Sequence, residues 1–101
     1  MNLQMEYIGK TLVVKLFGEI DQSCAAELRD DIDREIHLGN AENLILDFGN
    51  VSFMDSSGIG VIIGRYKQIK ALGGKTMIVR PQPQVDKILE LSGLKKIMDC
   101  G

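Results

Sequence analysis

The chain has 101 residues, 45% of them hydrophobic and 26% charged, with a formal net charge of -2. This fits one domain, residues 1–101, around one core, and the weakly acidic balance argues against direct nucleic-acid binding, which needs a basic face. The apolar runs are too short to span a bilayer and no charged-then-apolar leader opens the chain, so a cytoplasmic protein with no membrane contact is expected. Cys24 and Cys100 are far apart with no CxxC pair, and His37 is the only histidine. A structural zinc site needs about four such ligands, so neither a metal nor a cofactor is expected, and the thiols suit a reducing compartment.

Leu3, Met5 and Tyr7 alternate with Gln4 and Glu6, which reads as a half-exposed strand. Gly9-Lys10 turns the chain into the apolar run Leu12 to Phe17, broken by Lys15, so an opening hairpin with a deeper second strand is expected. Gly18-Glu19-Ile20-Asp21 ends it. Ala25, Leu28, Ile32 and Ile36 then recur at helical spacing, with Asp21 or Ser23 as the start cap, Gly39 as the stop and an Asp30–Arg34 pair on the surface. Asn43 to Phe48 reads as a short buried strand. A helix from Ile59 to Leu72 follows, with Ile59, Ile62, Ile63, Tyr66 and Ile69 inward, Arg65, Lys67 and Lys70 in water, and Gly73-Gly74 as the stop. Thr76 to Val79 is a further buried strand, closed by Arg80-Pro81. Val85, Ile88, Leu89 and Leu91 mark a last amphipathic helix, Gly93 is its left-handed cap with Leu94 folding back, and Ile97-Met98 is expected as a final short strand.

The order β-β-α-β-α-β-α-β implies an α/β fold: a mostly parallel sheet with an N-terminal antiparallel hairpin and right-handed crossovers. The parallel strands all end at one edge, where sites form. Asp21 and Ser56 each follow a parallel strand and are therefore expected to be neighbours, with Pro81 and its surroundings on the same edge.

Enzyme chemistry finds little support. Gly58, Gly60 and Gly64 give G-x-G-x-x-x-G, not the dinucleotide spacing G-x-G-x-x-G, and Arg80 stands where a ribose-binding acid would end the next strand. Gly60 and Gly64 share a helix face and could permit close packing on the sheet. No Walker sequence is present, and His37 is on a charged helix far from the Ser-Ser turn, so a serine hydrolase lacks its base. Asp21 and Asp55 could form an acid/base pair, but capping explains them more simply. A non-enzyme is expected, with a small nucleotide-binding or hydrolytic enzyme as the alternative from another class.

The turn Asp55-Ser56-Ser57-Gly58 has two readings. It caps a helix, or it also carries a phosphorylation switch. A helix start offers free N–H groups and a favourable dipole to an added phosphate. Phosphorylation would add about -1.5 to -2 charges beside Asp55 and Asp21 and repel a docked partner without refolding the domain. The residues alone do not choose between Ser56 and Ser57.

Phe53-Met54-Asp55-Ser56-Ser57-Gly58-Ile59-Gly60-Val61, continuing through Gly64 to Lys70, closely resembles the sporulation anti-sigma factor antagonists, STAS-domain proteins of the stage II sporulation AA type. Gly18-Glu19-Ile20-Asp21 and Leu91-Ser92-Gly93-Leu94 also match, so the likeness spans nearly the whole chain. The resemblance implies a STAS fold and a partner-switching mechanism. The unphosphorylated protein would bind an anti-sigma factor that is also a serine kinase, and so free a sporulation sigma factor; an antagonist acting on a stress-response sigma factor is the alternative. The resemblance also implies phosphorylation by that kinase at the first serine, Ser56, and resetting by a metal-dependent serine phosphatase. It places Asp21, with Asp55, Ser56, Ser57 and Gly58, at the partner-binding surface. Gln22 and Ser23 stand where sporulation members commonly carry two histidines. Family members usually have a further C-terminal helix; with the chain ending at Gly101 that helix is expected to be missing or replaced, leaving Ile97 and Met98 more exposed than usual.

Overall fold

A computed structural model describes residues 3–100, the side chains of Asp99 and Cys100 excepted. Strands β1 (Leu3–Ile8) and β2 (Thr11–Ile20) form the hairpin, followed by helix α1 (Gln22–Gly39), β3 (Asn43–Met54), α2 (Ser56–Ala71), β4 (Thr76–Val79), α3 (Pro83–Leu91), a single 3-10 turn at Leu94–Lys96, and β5 (Asp99–Cys100). The sheet order is β1-β2-β3-β4-β5. Among the described residues only the β1–β2 pair is antiparallel; β2–β3, β3–β4 and β4–β5 are parallel. Parallel strands need long crossovers, and α1, α2 and α3 supply them. The element order and the mixed sheet agree with the sequence expectation.

The core is one cluster. Leu12, Val14 and Leu16 of β2 meet Leu44, Leu46 and Phe48 of β3, and the helices add Leu28, Ile32 and Ile36 (α1), Ile62 and Ile69 (α2), and Val85 and Leu89 (α3). Each such side chain removed from water contributes about 1.5–3 kcal/mol. Leu94 folds back into this cluster after Gly93, whose φ is 83°. Cys24 is a free thiol; the side chain of Cys100 is outside the described set.

Several boundaries and contacts differ from the sequence reading. β3 runs on to Met54 instead of stopping at Phe48, because two irregularities in its pairing with β2 each give β3 an extra residue. The inward phase therefore jumps from Phe48 to Val51 and then to Met54, which hides the strand's alternation. β2 likewise continues to Ile20, and α2 begins at Ser56 instead of Ile59. The left-handed residue after α1 is Asn40 (φ 51°), a type that tolerates this conformation, and not Gly39. Gly39 instead makes room for the ring of Tyr7, whose hydroxyl donates to the Glu35 carbonyl at 2.5 Å and ties β1 to α1.

Arg34 pairs with Asp31 at 3.4 Å, not with Asp30, which pairs with Arg29 at 3.2 Å. Arg65, expected in water, is 8% exposed and faces Asp33 of α1 across 2.8 Å. It falls between Ile62 and Ile69 on the buried stripe of α2, and the carboxylate on the neighbouring helix makes that position tolerable. Leu91 and Met77, expected inside, are 79% and 41% exposed. Gly60 and Gly64 face open space and are not needed for close packing. The last strand is Asp99–Cys100 and not Ile97-Met98; Ile97 is exposed while Met98 is buried.

Candidate functional site

β2 and β3 end in step. Ile20 pairs with Met54, and the Asp55 N–H donates to the Ile20 carbonyl at 3.2 Å. The next residue in each chain segment is the cap of the following helix, so the starts of α1 and α2 are side by side at the sheet edge. Asp21 Oδ1 accepts from Ser23 N at 3.0 Å and from Ser23 Oγ at 2.5 Å. Asp55 Oδ1 accepts from Ser57 N at 2.9 Å and Gly58 N at 3.3 Å. Both aspartates, with Gln22 and Ser23, line one open depression of about 400 Å³. Asp21 and the Asp55-Ser56 turn are thus neighbours, as expected from the topology.

The cap divides the labour within the turn. Asp55 satisfies the free N–H groups of Ser57 and Gly58, while Ser56 occupies the first helical position with its side chain exposed. Ser57 is half-buried. Gly58 is buried against the strand ends: a Cβ there would lie 2.5 Å from Met54 Cγ and 3.0 Å from Ile20 Cγ2. A side chain would push α2 off the edge, so this glycine sets the height at which Ser56 is presented. The Ser23 hydroxyl and amide hold the Asp21 carboxyl below the usual carboxylate range, against a smaller opposing effect of burial. The depression therefore carries an ionised carboxylate at neutral pH.

A groove of about 440 Å³ leads away from the turn between α1 and α2, with Gln22 and Ser57 at its mouth, Ala25 and Gly60 along it, and Arg65 among its lining residues. Phe53, two residues before Asp55, is 44% exposed beside the turn. Sequence reading did not single it out as a surface residue, although the alternation of Leu44, Leu46 and Phe48 already places it outward; what the pairing irregularities change is Val51, which they turn inward.

Pro81 and its neighbours do not reach the tip of this edge. β4 ends at Val79 opposite Asp47, so the segment after it meets β3 at Gly49 and Ser52. There Arg80, with φ 55°, makes a two-pronged contact to Asp47: Nε to Oδ1 at 3.1 Å and Nη2 to Oδ2 at 2.8 Å. Burial pushes the Asp47 carboxyl up, but Arg80 and the Gly49 amide outweigh it and hold it below its ordinary value. The same contact pushes the Arg80 guanidinium up.

The remaining chemistry is sparse. His37 is exposed in the last turn of α1. It is fifteen residues along the helix from its start, about 22 Å from the capped turns at 1.5 Å per residue. Among the described residues no group of three or more His, Cys, Asp or Glu is placed to hold a metal, and no helix is long and apolar enough to cross a membrane.

The STAS domain family model matches residues 2–101. An anti-sigma F factor antagonist of Paenibacillus polymyxa is 43% identical over 100 residues, covering 97% of this chain and 86% of that protein. Among solved structures, the anti-sigma factor antagonist SpoIIAA in its unphosphorylated form superposes with a TM-score of 0.86 at 36% identity, over 98% of this chain and 87% of the other. The Bacillus cell fate determinant SpoIIAA in its phosphorylated form superposes with a TM-score of 0.77 at 35% identity, over 98% and 90%.

Proposed function

Because the chain belongs to the STAS domain family, we propose that it is an anti-sigma factor antagonist switched by phosphorylation of Ser56. In this reading residues 1–101 form one domain acting in the cytoplasm. The unphosphorylated protein binds an anti-sigma factor with serine kinase activity through Asp21, Asp55, Ser56, Ser57 and Gly58, and so releases a sporulation sigma factor. The kinase transfers the γ-phosphoryl group of ATP to Ser56 Oγ, the hydroxyl proton leaves to a base on the kinase, and ADP departs. A metal-dependent serine phosphatase restores the hydroxyl. The chain itself performs no turnover; it is substrate and ligand in turn.

One observation carries the choice of residue: Ser56 is exposed at the first position of α2 while Asp55 already accepts from the Ser57 and Gly58 N–H groups. The serine is therefore open to a kinase, and its modification does not dismantle the cap. The added charge, about -1.5 to -2, falls beside Asp55 and Asp21. Water screens that cluster in the free protein, but a docked partner would desolvate it, and mismatched charge at an interface costs several kcal/mol. Each 1.4 kcal/mol is tenfold in affinity, so a drop of roughly a hundredfold or more is expected.

The test is incubation with the anti-sigma kinase and ATP, followed by intact mass, peptide mapping and a binding measurement. One phosphate on Ser56, absent from Ser56→Ala, with loss of kinase binding, is the expected result. Full phosphorylation of Ser56→Ala would move the acceptor elsewhere. Stable binding without phosphate would leave an interaction module whose turn is only a cap.

A further inference from the structure

β3 is twelve residues long and β4 only four. β4 pairs with β3 over Leu44 to Asp47 and then stops. Beyond that point β3 is supported by β2 on one side, from Asn50 to Met54, while among the described residues no strand pairs with its other edge. That unpaired arm ends in the Asp55-Ser56 turn.

Side chains from the β4–α3 connection and the first turn of α3 occupy the missing strand's place. Gln82 Nε2 donates to the Gly49 carbonyl at 3.0 Å, and Gln84 Nε2 donates to the Ser52 carbonyl at 3.2 Å. Gln84 Nε2 also donates to Gln82 Oε1 at 3.0 Å, joining the two into a chain along the edge. The Gly49 N–H is taken by Asp47 Oδ1 at 2.9 Å, and the same carboxylate grips Arg80. Arg80 crosses directly over Gly49, where a Cβ would be 2.6 Å from its guanidinium carbon. Arg80 holds a left-handed backbone, a strained state for a residue with a side chain, which persists only where its surroundings impose it. Here the two-pronged contact with the nearly buried Asp47 imposes it.

We propose that Gln82, Gln84 and the Arg80–Asp47 pair are positioning residues: a side-chain clasp that stands in for strand pairing and holds the β3 arm so that Ser56 is presented at a fixed height and angle. The acceptor role of Ser56 comes from the function proposed above; the clasp itself does not depend on it. An unclasped arm would leave its edge carbonyls to water and open locally more often. A mobile acceptor occupies the binding-competent geometry a smaller fraction of the time, and its apparent affinity for the kinase falls by that fraction while the step within the bound complex changes less.

The experiment compares wild type with the double variant Gln82→Ala/Gln84→Ala and with Arg80→Gly, which cuts the ion pair while accepting the same φ. Amide hydrogen exchange across residues 50–55 is measured first, on the free protein. Exchange is expected to rise roughly tenfold there and to stay unchanged in β1 and α1. Initial rates with the anti-sigma kinase and ATP are then measured well below the melting temperature. KM for the antagonist is expected to rise roughly tenfold with kcat changed less. Unchanged exchange in both variants would show that there is no clasp. Faster exchange with unchanged KM would show a clasp that does not position the acceptor. Exchange is read without the kinase, so an error about Ser56 and an error about the clasp give different results.

Discussion

Asp55 is the residue on which capping and recognition meet, and two substitutions separate them. Asp55→Ala removes an oxygen that accepts two backbone N–H groups, from Ser57 at 2.9 Å and from Gly58 at 3.3 Å. Loss of a cap costs about 0.5–2 kcal/mol. The upper half of that range applies here, because Gly58 is buried against Met54 and Ile20, and water cannot readily replace its lost acceptor. A loss of about 1.5 kcal/mol corresponds to a melting temperature lower by about 6–12 °C for a domain of this size. Asp55→Asn keeps the accepting oxygen. It gives up a favourable charge at the helix N-terminus but also relieves repulsion from Asp21, so its net change is expected within about 0.5 kcal/mol. Urea unfolding followed by circular dichroism reads both variants, with the slope unchanged. Alanine matching wild type, or asparagine falling as far as alanine, would refute the cap as the source of the effect. Because Asp55→Asn stays folded, its affinity for the anti-sigma kinase reads the carboxylate's part in recognition directly.

Two further expectations concern charges outside the turn. Asp47 has a folded-state pKa below its unfolded value, so its stabilisation is present above the unfolded carboxyl pKa, about 3.9, and is lost as pH falls through the folded value. Asp47→Asn should therefore be less stable than wild type at about pH 7, with the gap closing below about pH 4; a gap that persists at low pH would show that its source is not ionisation. For the α1–α2 pair, Arg65 is deeply buried whereas the Asp33 side chain is 37% exposed. Asp33→Ala leaves a buried guanidinium without its partner and should cost about 2–3 kcal/mol, while Arg65→Met leaves a carboxylate that water can reach and should cost clearly less. Equal losses in thermal melts would contradict that asymmetry.

Much of this protein is legible in its sequence because periodicity is local. The alternation of Leu3, Met5 and Tyr7, the stripe Leu28, Ile32 and Ile36, and the pair Gly93-Leu94 each report which side of an element faces the core, and the structure places them so. The order of elements then brings Asp21 and Asp55 to one edge, since parallel strands joined by crossovers end on the same side. What tertiary structure alone decided is non-local. β3 continues past Phe48 alongside β2 with two extra residues of its own, and those irregularities turn Val51 into the core where strict alternation would leave it outside. Arg65 is buried because Asp33, 32 positions earlier, faces it from another helix. Arg80 bends backward onto Gly49 because Asp47 is across the sheet to hold it. A hydrophobic pattern records how each segment meets the core. It does not record which partner across the fold makes a buried charge or an unpaired strand edge tolerable, and those partners shape the surface around Ser56.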